Sequence, residues 1–416
     1  MPFRIALSGL NAAAADLRVI GNNVANASTT GFKKSNAEFA DVYAASTTGV
    51  SSNAVGAGVK ISAIKQEFSQ GNIDFTNNNL DMAISGEGFF RLSDNGATKY
   101  SRAGAFGVDR EGYIVNSENL RLTGNLADAN GSISNNLGEI QMTTEDLDPS
   151  ATSLVTMSAN LDSSQTAPGV AFSRTDASTY NHSTSLTTYD SQGNSVLQTL
   201  YFQKDSANTW NMFSYLDHPT AGGLEMIPSG GVTGDPVVLA FTTGGAINTA
   251  TPGSGQVAAY EDTTVAGFDD IVGSINVSGL TQFGSSFGVN KLVQNGFSDG
   301  RLSGVEVSDE GIISARYTNG QSQNIAQIAM ANFSNQNGLV QLGDNTWAET
   351  AESGAALVGS AGTGALGLIQ SGALEGSNVD LTEQLVSMIT SQRNFQANAK
   401  IIETADTVTQ TILNIR

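Results

Sequence analysis

Several strings in this 416-residue chain have the residue types and spacing of reactive sites. Gly284-Ser285-Ser286-Phe287-Gly288 fits the G-x-S-x-G pattern, in which a serine on a sharp strand-to-helix turn attacks an acyl carbon and a downstream histidine takes its proton. Both histidines, His182 and His218, lie upstream of that serine, so the chain order is wrong for the general base. Gly362-Thr363-Gly364-Ala365-Leu366-Gly367 fits the G-x-G-x-x-G pattern for a dinucleotide pyrophosphate, but that chemistry needs a surrounding βαβ unit, and more glycine-rich sequence follows instead. Asp128-Ala129-Asn130-Gly131 and Asp190-Ser191-Gln192-Gly193 open like calcium loops, yet the second has Tyr201 at position twelve where a bidentate Glu is needed, and the first, with Glu139 there, has Ile133 in place of the glycine at position six. Both read as tight turns. His182 and His218 stand alone and read as surface or turn residues, and Asp269-Asp270 has no partner that would make it an acid/base couple. The expectation is no catalytic, cofactor-binding or metal-ligating residue, no cofactor and no enzyme.

Composition points the same way. There are no cysteines, which removes disulfides, thiolate metal sites and cysteine nucleophiles together. Nineteen basic residues against 39 acidic ones leave a net charge of −20, and no basic cluster is available to displace counterions from nucleic acid. No stretch approaches the length of apolar sequence that a membrane-spanning helix needs, so neither nucleic acid nor membrane is an expected partner. Residues 1–17 do not read as a signal peptide, because Ser8, Asn11 and Asp16 break the apolar run. Residues 146–284 hold thirteen acids against only Arg174 and Lys204, more than half of the net charge of −20, whereas residues 1–34 are mildly basic. Such an acidic stretch is, in the first place, a well-solvated face.

The two ends of the chain resemble each other and differ from the middle. Apolar or small residues step by four and three through Phe3, Leu7, Leu10, Ala14, Leu17, Gly21 and Val24. The same spacing returns in Leu381, Leu385, Met388, Gln392, Phe395, Ala399 and Ile402, and Ala405, Val408, Ile412 and Ile415 continue the stripe. These stripes predict two helices, the second over 377–416 with Ser377 or Asn378 as N-cap. Either stripe can seat its helix on its own domain's core, or, being as narrow as a coiled-coil seam, pair with the other end or with a neighbouring copy. Weak seam positions at Gly21 and Gln392 predict helices that order only on assembly.

Between the ends, strand-like runs alternate with turns. Asn95-Gly96 and Asp109–Gly112 punctuate 86–123, while Asp309–Gly311, Asn319-Gly320 and Asn337-Gly338 punctuate 296–338, with a strand over 312–317. Asn-Gly between such runs is a hairpin cue because both residues tolerate positive φ. Further strands are expected at 196–202 and 210–215, between turns at 190–194, 205–208 and 217–219. The predicted fold is multidomain and mainly β, with β-rich middle domains nested between N- and C-terminal α-helices that pair as a coiled-coil-like inner domain. The expected parts are 1–34 plus 372–416 (helical), 35–80 (extended connection), 81–145 plus 285–371 (β-rich middle) and 146–284 (β-rich outer insertion).

The terminal segments resemble the bacterial flagellar rod and hook family of axial proteins. The N-terminal likeness runs from Ser8-Gly9-Leu10-Asn11-Ala12 through Ile20-Gly21-Asn22-Asn23-Val24-Ala25-Asn26 to Thr29-Thr30-Gly31-Phe32-Lys33. The C-terminal likeness runs from Gly372 to Leu381, with Asn378 and Asp380, and continues in Gln392-Arg393-Asn394-Phe395-Gln396-Ala397-Asn398. Phe68–Gly71, Ala83–Phe90 and Tyr100-Ser101-Arg102-Ala103-Gly104 are similar to the same family. The long middle insertion, Thr281–Ser285 and Ala331-Asn332-Phe333 resemble its hook branch.

What the resemblance implies is a subunit exported through the flagellar type III apparatus without a cleaved signal, which adds to a curved, extracellular helical tube carrying torque from rod to filament. Its partners would be its own copies, rod subunits at the proximal end, junction proteins at the distal end and a cap during growth. The polymer contacts are expected at Leu7, Leu10, Leu17, Val24, Leu381, Leu385, Met388, Phe395, Ile402, Val408 and Ile412, and the family motif at Asn22, Asn23, Asn26, Gly31, Phe32, Asn378, Asp380, Gln392, Arg393 and Asn394. A distal rod subunit is the alternative within the family, and a secreted β-rich enzyme or adhesin the alternative outside it.

Overall fold

The computed structural model describes the chain apart from residues 1, 43–55, 129, 143–145, 219–221, 229–234, 249–256, 262–272 and 415–416. Asp269-Asp270, Ala129, Pro219 and Ile415 lie outside the described residues, as do the side chains of His218 and Ile412. Helix α1 spans Pro2–Ala25 and helix α2 spans Leu381–Asn414, and all other long elements are strands. The fold is therefore mainly β with helices at the two ends of the chain.

The chain forms two compact units. One comprises Met1–Thr144, Ser303–Arg316 and Ser322–Arg416, the other Glu145–Leu302 and Tyr317–Gln321. The second unit runs past the expected limit at 284. Strand Gly288–Gln294 pairs antiparallel with Leu154–Asp162, from Val155 opposite Gln294 to Asn160 opposite Gly288. A pairing between strands so far apart in sequence leaves no local signal.

In the first unit, α1 and α2 pack together. Asp380 begins α2, its Oδ1 accepting the Thr382 and Glu383 N–H groups at 2.8 and 3.2 Å. Asn378, one of the two expected caps, is engaged elsewhere. Its Oδ1 accepts the Lys34 N–H at 2.7 Å, and its Nδ2 donates to the carbonyls of Glu67 (2.8 Å) and Ser69 (3.2 Å). The segment expected as an extended connection contains the hairpin of Ser35–Asp41 with Val59–Gln66, and strand Ile73–Phe75, which pairs with Ala373–Glu375.

A 12-stranded sheet completes this unit, with Phe89–Asp94, Ala97–Ser101 and Arg121–Ala127 near its middle. The Asn-Gly cue at 95–96 closes the hairpin in which Asp94 faces Ala97, with φ of 49° and 97°. Strand Ile312–Tyr317 has the bounds the alternation predicts. Asn337-Gly338 instead closes a short 3-10 turn, Gln336–Gly338. Phe68, Phe89, Phe333, Tyr100 and Trp347 meet edge to face, with centroids 4.8–5.9 Å apart. Such rings gain about 0.5–1.5 kcal/mol per pair beyond area burial. Trp347 Nε1 donates to Gln66 Oε1 at 2.6 Å, which satisfies the buried indole.

The second unit is a 10-stranded sheet around Trp210, Phe202, Leu200, Met212, Leu239 and Leu161. In Ser195–Ser206 every second residue from Val196 to Phe202 is buried, the period-two signature of a strand with one face on a core. The strings with a look of chemistry resolve as local structure. Ser285 Oγ accepts from Asn160 Nδ2 at 3.0 Å, in a connection between strands Thr281–Phe283 and Gly288–Gln294 rather than at a strand-to-helix turn. Residues 362–367 join strands Leu357–Ser360 and Leu368–Ser371. Asp128 Oδ1 accepts the N–H groups of Asn130 and Ser132, and Asp190 Oδ1 those of Gln192 and Asn194, so these carboxylates close turns.

His182 is not a simple surface residue. Its ring stacks on Phe287 at 4.4 Å and lies 6.0 Å from Trp210. Burial lowers its pKa from 6.5, opposed by the Asp162 carboxylate. A folded-state pKa below the unfolded value means that the unfolded chain binds the proton first. Stability is then complete above pH 6.5 and declines as pH falls through 6.5 toward the folded value. The expected result is a melting temperature of the second unit that drops as pH goes from about 7.5 to about 5.5, the range in which histidine titrates. His182→Gln should flatten that slope in calorimetry, and an unchanged slope would exclude His182 as its source.

Candidate functional site

The feature of this chain that fits a function is the helix pair and its anchorage. Three contacts define the seam. A Cβ built on Gly9 would come within 2.6 Å of Asn398 Oδ1, Ser391 Oγ donates to an Asp16 carboxylate oxygen, and Asn23 Nδ2 donates to Gln384 Oε1 at 3.1 Å. The positions advance by seven on α1 as they fall by seven on α2, which makes the pair antiparallel with one heptad register. In that register Ala6, Ala13 and Ile20, all buried, stand level with Ile402, Phe395 and Met388, which are half-buried.

This corrects the expected seam on α1 by one residue. Ala6, Gly9, Ala13, Asp16, Ile20 and Asn23 face α2, while Leu7, Leu10, Leu17 and Val24 sit one position round the helix, Leu7 exposed and the others half-buried. The reason is steric. Small residues let two helix backbones approach, and larger ones are displaced to the flank. On α2, Met388, Phe395 and Ile402 are half-buried on the side facing α1, whereas Leu381, Leu385 and Val408 are about half exposed or more, at 48%, 50% and 58%. Val386 and Ile389 of the same helix are exposed as well. Several large apolar side chains thus remain uncovered on a helix pair whose own seam is filled.

The foot of the pair is held by a buried clasp that the sequence reading missed. Lys33, Arg102 and Glu375 are each at most 2% accessible. Glu375 Oε1 accepts from Lys33 Nζ at 2.7 Å and from the Gly71 N–H at 2.9 Å, and Oε2 lies 3.3 Å from an Arg102 guanidinium nitrogen. The Glu375 carbonyl accepts the Gly31 N–H at 2.8 Å. Burial drives the Lys33 pKa downward, and the neighbouring Glu375 carboxylate opposes it. Gly31 has φ +69°, and a Cβ there would stand 2.5 Å from the Ala103 nitrogen, so no other residue fits.

The motif residues fall into three groups. Asn23, Gly31, Phe32, Asn378 and Asp380 surround this foot: Asn23 is 1% accessible and brackets Ser35 through its N–H (2.9 Å) and carbonyl (2.8 Å), and Phe32 is buried. Asn26 Nδ2 donates to the Asn22 carbonyl at 2.9 Å, finishing α1. Gln392, Arg393 and Asn394 are exposed along α2.

Comparison with known proteins places these features. Residues 3–33 match the family described as flagella basal body rod protein, and 370–415 the flagellar basal body rod FlgEFG protein C-terminal region. Residues 83–155 match the flagellar hook protein FlgE/F/G D1 domain, and 160–297 the flagellar basal body protein FlaE D2 domain. Paired terminal helices around β-rich units with these matches define an axial protein of the bacterial flagellum. The chain is 39% identical over 439 residues to the flagellar hook protein FlgE of Escherichia coli (strain K12), covering 100% of both. It is 38% identical over 424 residues to that of Salmonella typhimurium, again covering 100% of both, and 31% identical over 454 residues to that of Treponema pallidum, covering 99% of this chain and 98% of the relative. The chain belongs to the flagellar hook protein FlgE family. The crystal structure of Helicobacter pylori flagellar hook protein FlgE2 shares the fold, with a TM-score of 0.55 at 14% identity over 73% of this chain and 100% of that one.

Proposed function

We propose that this chain is a structural subunit that polymerises with its own copies into the flagellar hook, a flexible helical tube that transmits torque from rod to filament. The observation that carries the reading is the set of large apolar side chains Leu7, Leu381, Leu385, Val386, Ile389 and Val408, left exposed on helices whose mutual seam is already occupied. Large apolar side chains clustered in exposed positions mark an interface. A contact between different faces of identical subunits continues as a helix when its rotation does not close. In this reading the helices form the inner tube, with polymer contacts at Leu7, Leu10, Leu17, Val24, Leu381, Leu385 and Val408, and with Met388, Phe395 and Ile402 closing the seam behind them. Rod subunits, junction proteins, the growing cap and the export apparatus are its further partners, its route out needs no cleaved signal, and it carries no catalysis.

The acidic second unit takes the outer position, where contacts that slide suit a joint that bends as it turns. Deleting Glu145–Leu302 is expected to leave a protein that still polymerises, with curvature or stiffness changed in electron micrographs. Complete loss of polymer would contradict this layering.

A further inference from the structure

We infer that the polar rungs of the helix seam, Gly9 with Asn398, Asp16 with Ser391 and Asn23 with Gln384, are specificity determinants that select one antiparallel register of α1 on the chain's own α2. The heptad pattern alone does not select it. Sliding α2 by one heptad, about 10.5 Å along the axis, brings Asn398 level with Asp16 and Ser391 level with Asn23, so polar again meets polar. The same slide sets Ala13 level with Ile402 instead of Phe395, so apolar again meets apolar. What distinguishes the registers is the fit at each rung. Gly9 is the one rung position on α1 without a Cβ, and it is matched to Asn398, whose amide fills the space a Cβ would take. Moved by a heptad, that amide meets Asp16, and Gly9 is left against Ala405 with a gap.

Asn23 is held from a second side, because its amide also brackets the Ser35 backbone at 2.8 and 2.9 Å. It cannot turn to follow a displaced Gln384 without abandoning those bonds. A polar group in an otherwise apolar helix seam costs stability and gives register in exchange, since a misaligned arrangement leaves it facing an apolar side chain or a polar one that does not fit it. In a polymer where each helix end lies beside copies of itself, that discrimination keeps each α1 on its own α2.

The chain has no cysteines, so a pair introduced into the full-length protein reports register without background. Ala13→Cys with Phe395→Cys reports the observed register, and Ala13→Cys with Ile402→Cys reports the one-heptad slip. With the rungs intact, oxidation should give the first cross-link about tenfold over the second, as the loss of one to two buried hydrogen bonds dictates. With the rungs made apolar (D16L, N23L, Q384L, S391L and N398L together), slipped and intermolecular cross-links should rise about tenfold, while circular dichroism keeps its helical signal. Asp16→Asn, which preserves the rung, should retain the original pattern. Three results overturn the inference: comparable cross-links from both reporters with the rungs intact, a single register in the apolar-rung protein, or loss of the helices themselves in that protein, which would make the rungs supports rather than selectors.

Discussion

Replacing Glu375 with alanine is expected to remove about 3–5 kcal/mol of folding stability, because it leaves two buried cations without their counter-charge. Lys33 and Arg102 reach Glu375 from positions 342 and 273 residues away in sequence, and the Gly71 N–H uses the same carboxylate. Burial disfavours the charged form of both cations, so each depends on Glu375 to stay ionised in place. Ion pairing of this kind is weak evidence for net stability, but breaking it from one side is costly. Two comparisons separate these effects. Lys33→Met should cost less than Glu375→Ala, since Arg102 still meets the carboxylate. The triple substitution to methionine at Lys33, Arg102 and Glu375 should recover much of the loss, since no charge then remains buried. Urea unfolding of the three proteins checks the order, and a Glu375→Ala protein within about 1 kcal/mol of the parent, the range of ordinary surface substitutions, would show that the clasp carries no such role.

The second large effect concerns assembly without folding. Leu385→Asp with Ile389→Asp places two carboxylates on the exposed face of α2, where both side chains are about half uncovered, at 50% and 51%. In the free subunit each carboxylate stays in water, so the melting temperature should hold. In the polymer each would be buried without a partner, at a cost of about 3–5 kcal/mol. Taken together this raises the critical concentration for polymerisation by about a hundredfold or more. Sedimentation of polymer against total protein reads that shift directly. A critical concentration equal to that of the parent would move the interface away from Leu385 and Ile389. The equivalent change inside the seam, Ala13→Leu, should act the other way, lowering the stability of the helix pair by overpacking about 1–3 kcal/mol into a closed contact.

The architecture was legible where a local pattern carries it. Two heptad stripes predicted α1 and α2, Asn95-Gly96 predicted its hairpin, and period-two alternation predicted the strands at 196–202 and 312–317. The seam of α1 was misplaced by one residue for an identifiable reason. A reading that follows the largest apolar side chains finds Leu7, Leu10 and Leu17, whereas close approach of the helices selects Ala6, Gly9 and Ala13 and admits Asp16 and Asn23. Lys33, Arg102 and Glu375 all fell inside recognised motifs, yet nothing in the sequence says that residues so far apart share a carboxylate. The second unit ran to Leu302 because the pairing of Gly288–Gln294 with Leu154–Asp162 is long-range. Periodicity reports which face of an element is apolar. It does not report which distant element covers that face, and here the uncovered face is the one assigned to assembly.

In the proposed function the exposed apolar side chains of the helices join identical subunits into an open tube. Electron microscopy of the purified full-length protein under polymerising conditions tests it most directly. The expected product is curved tubes built from this one chain. Protein that stays monomeric under those conditions, or that closes into discrete rings, would contradict it.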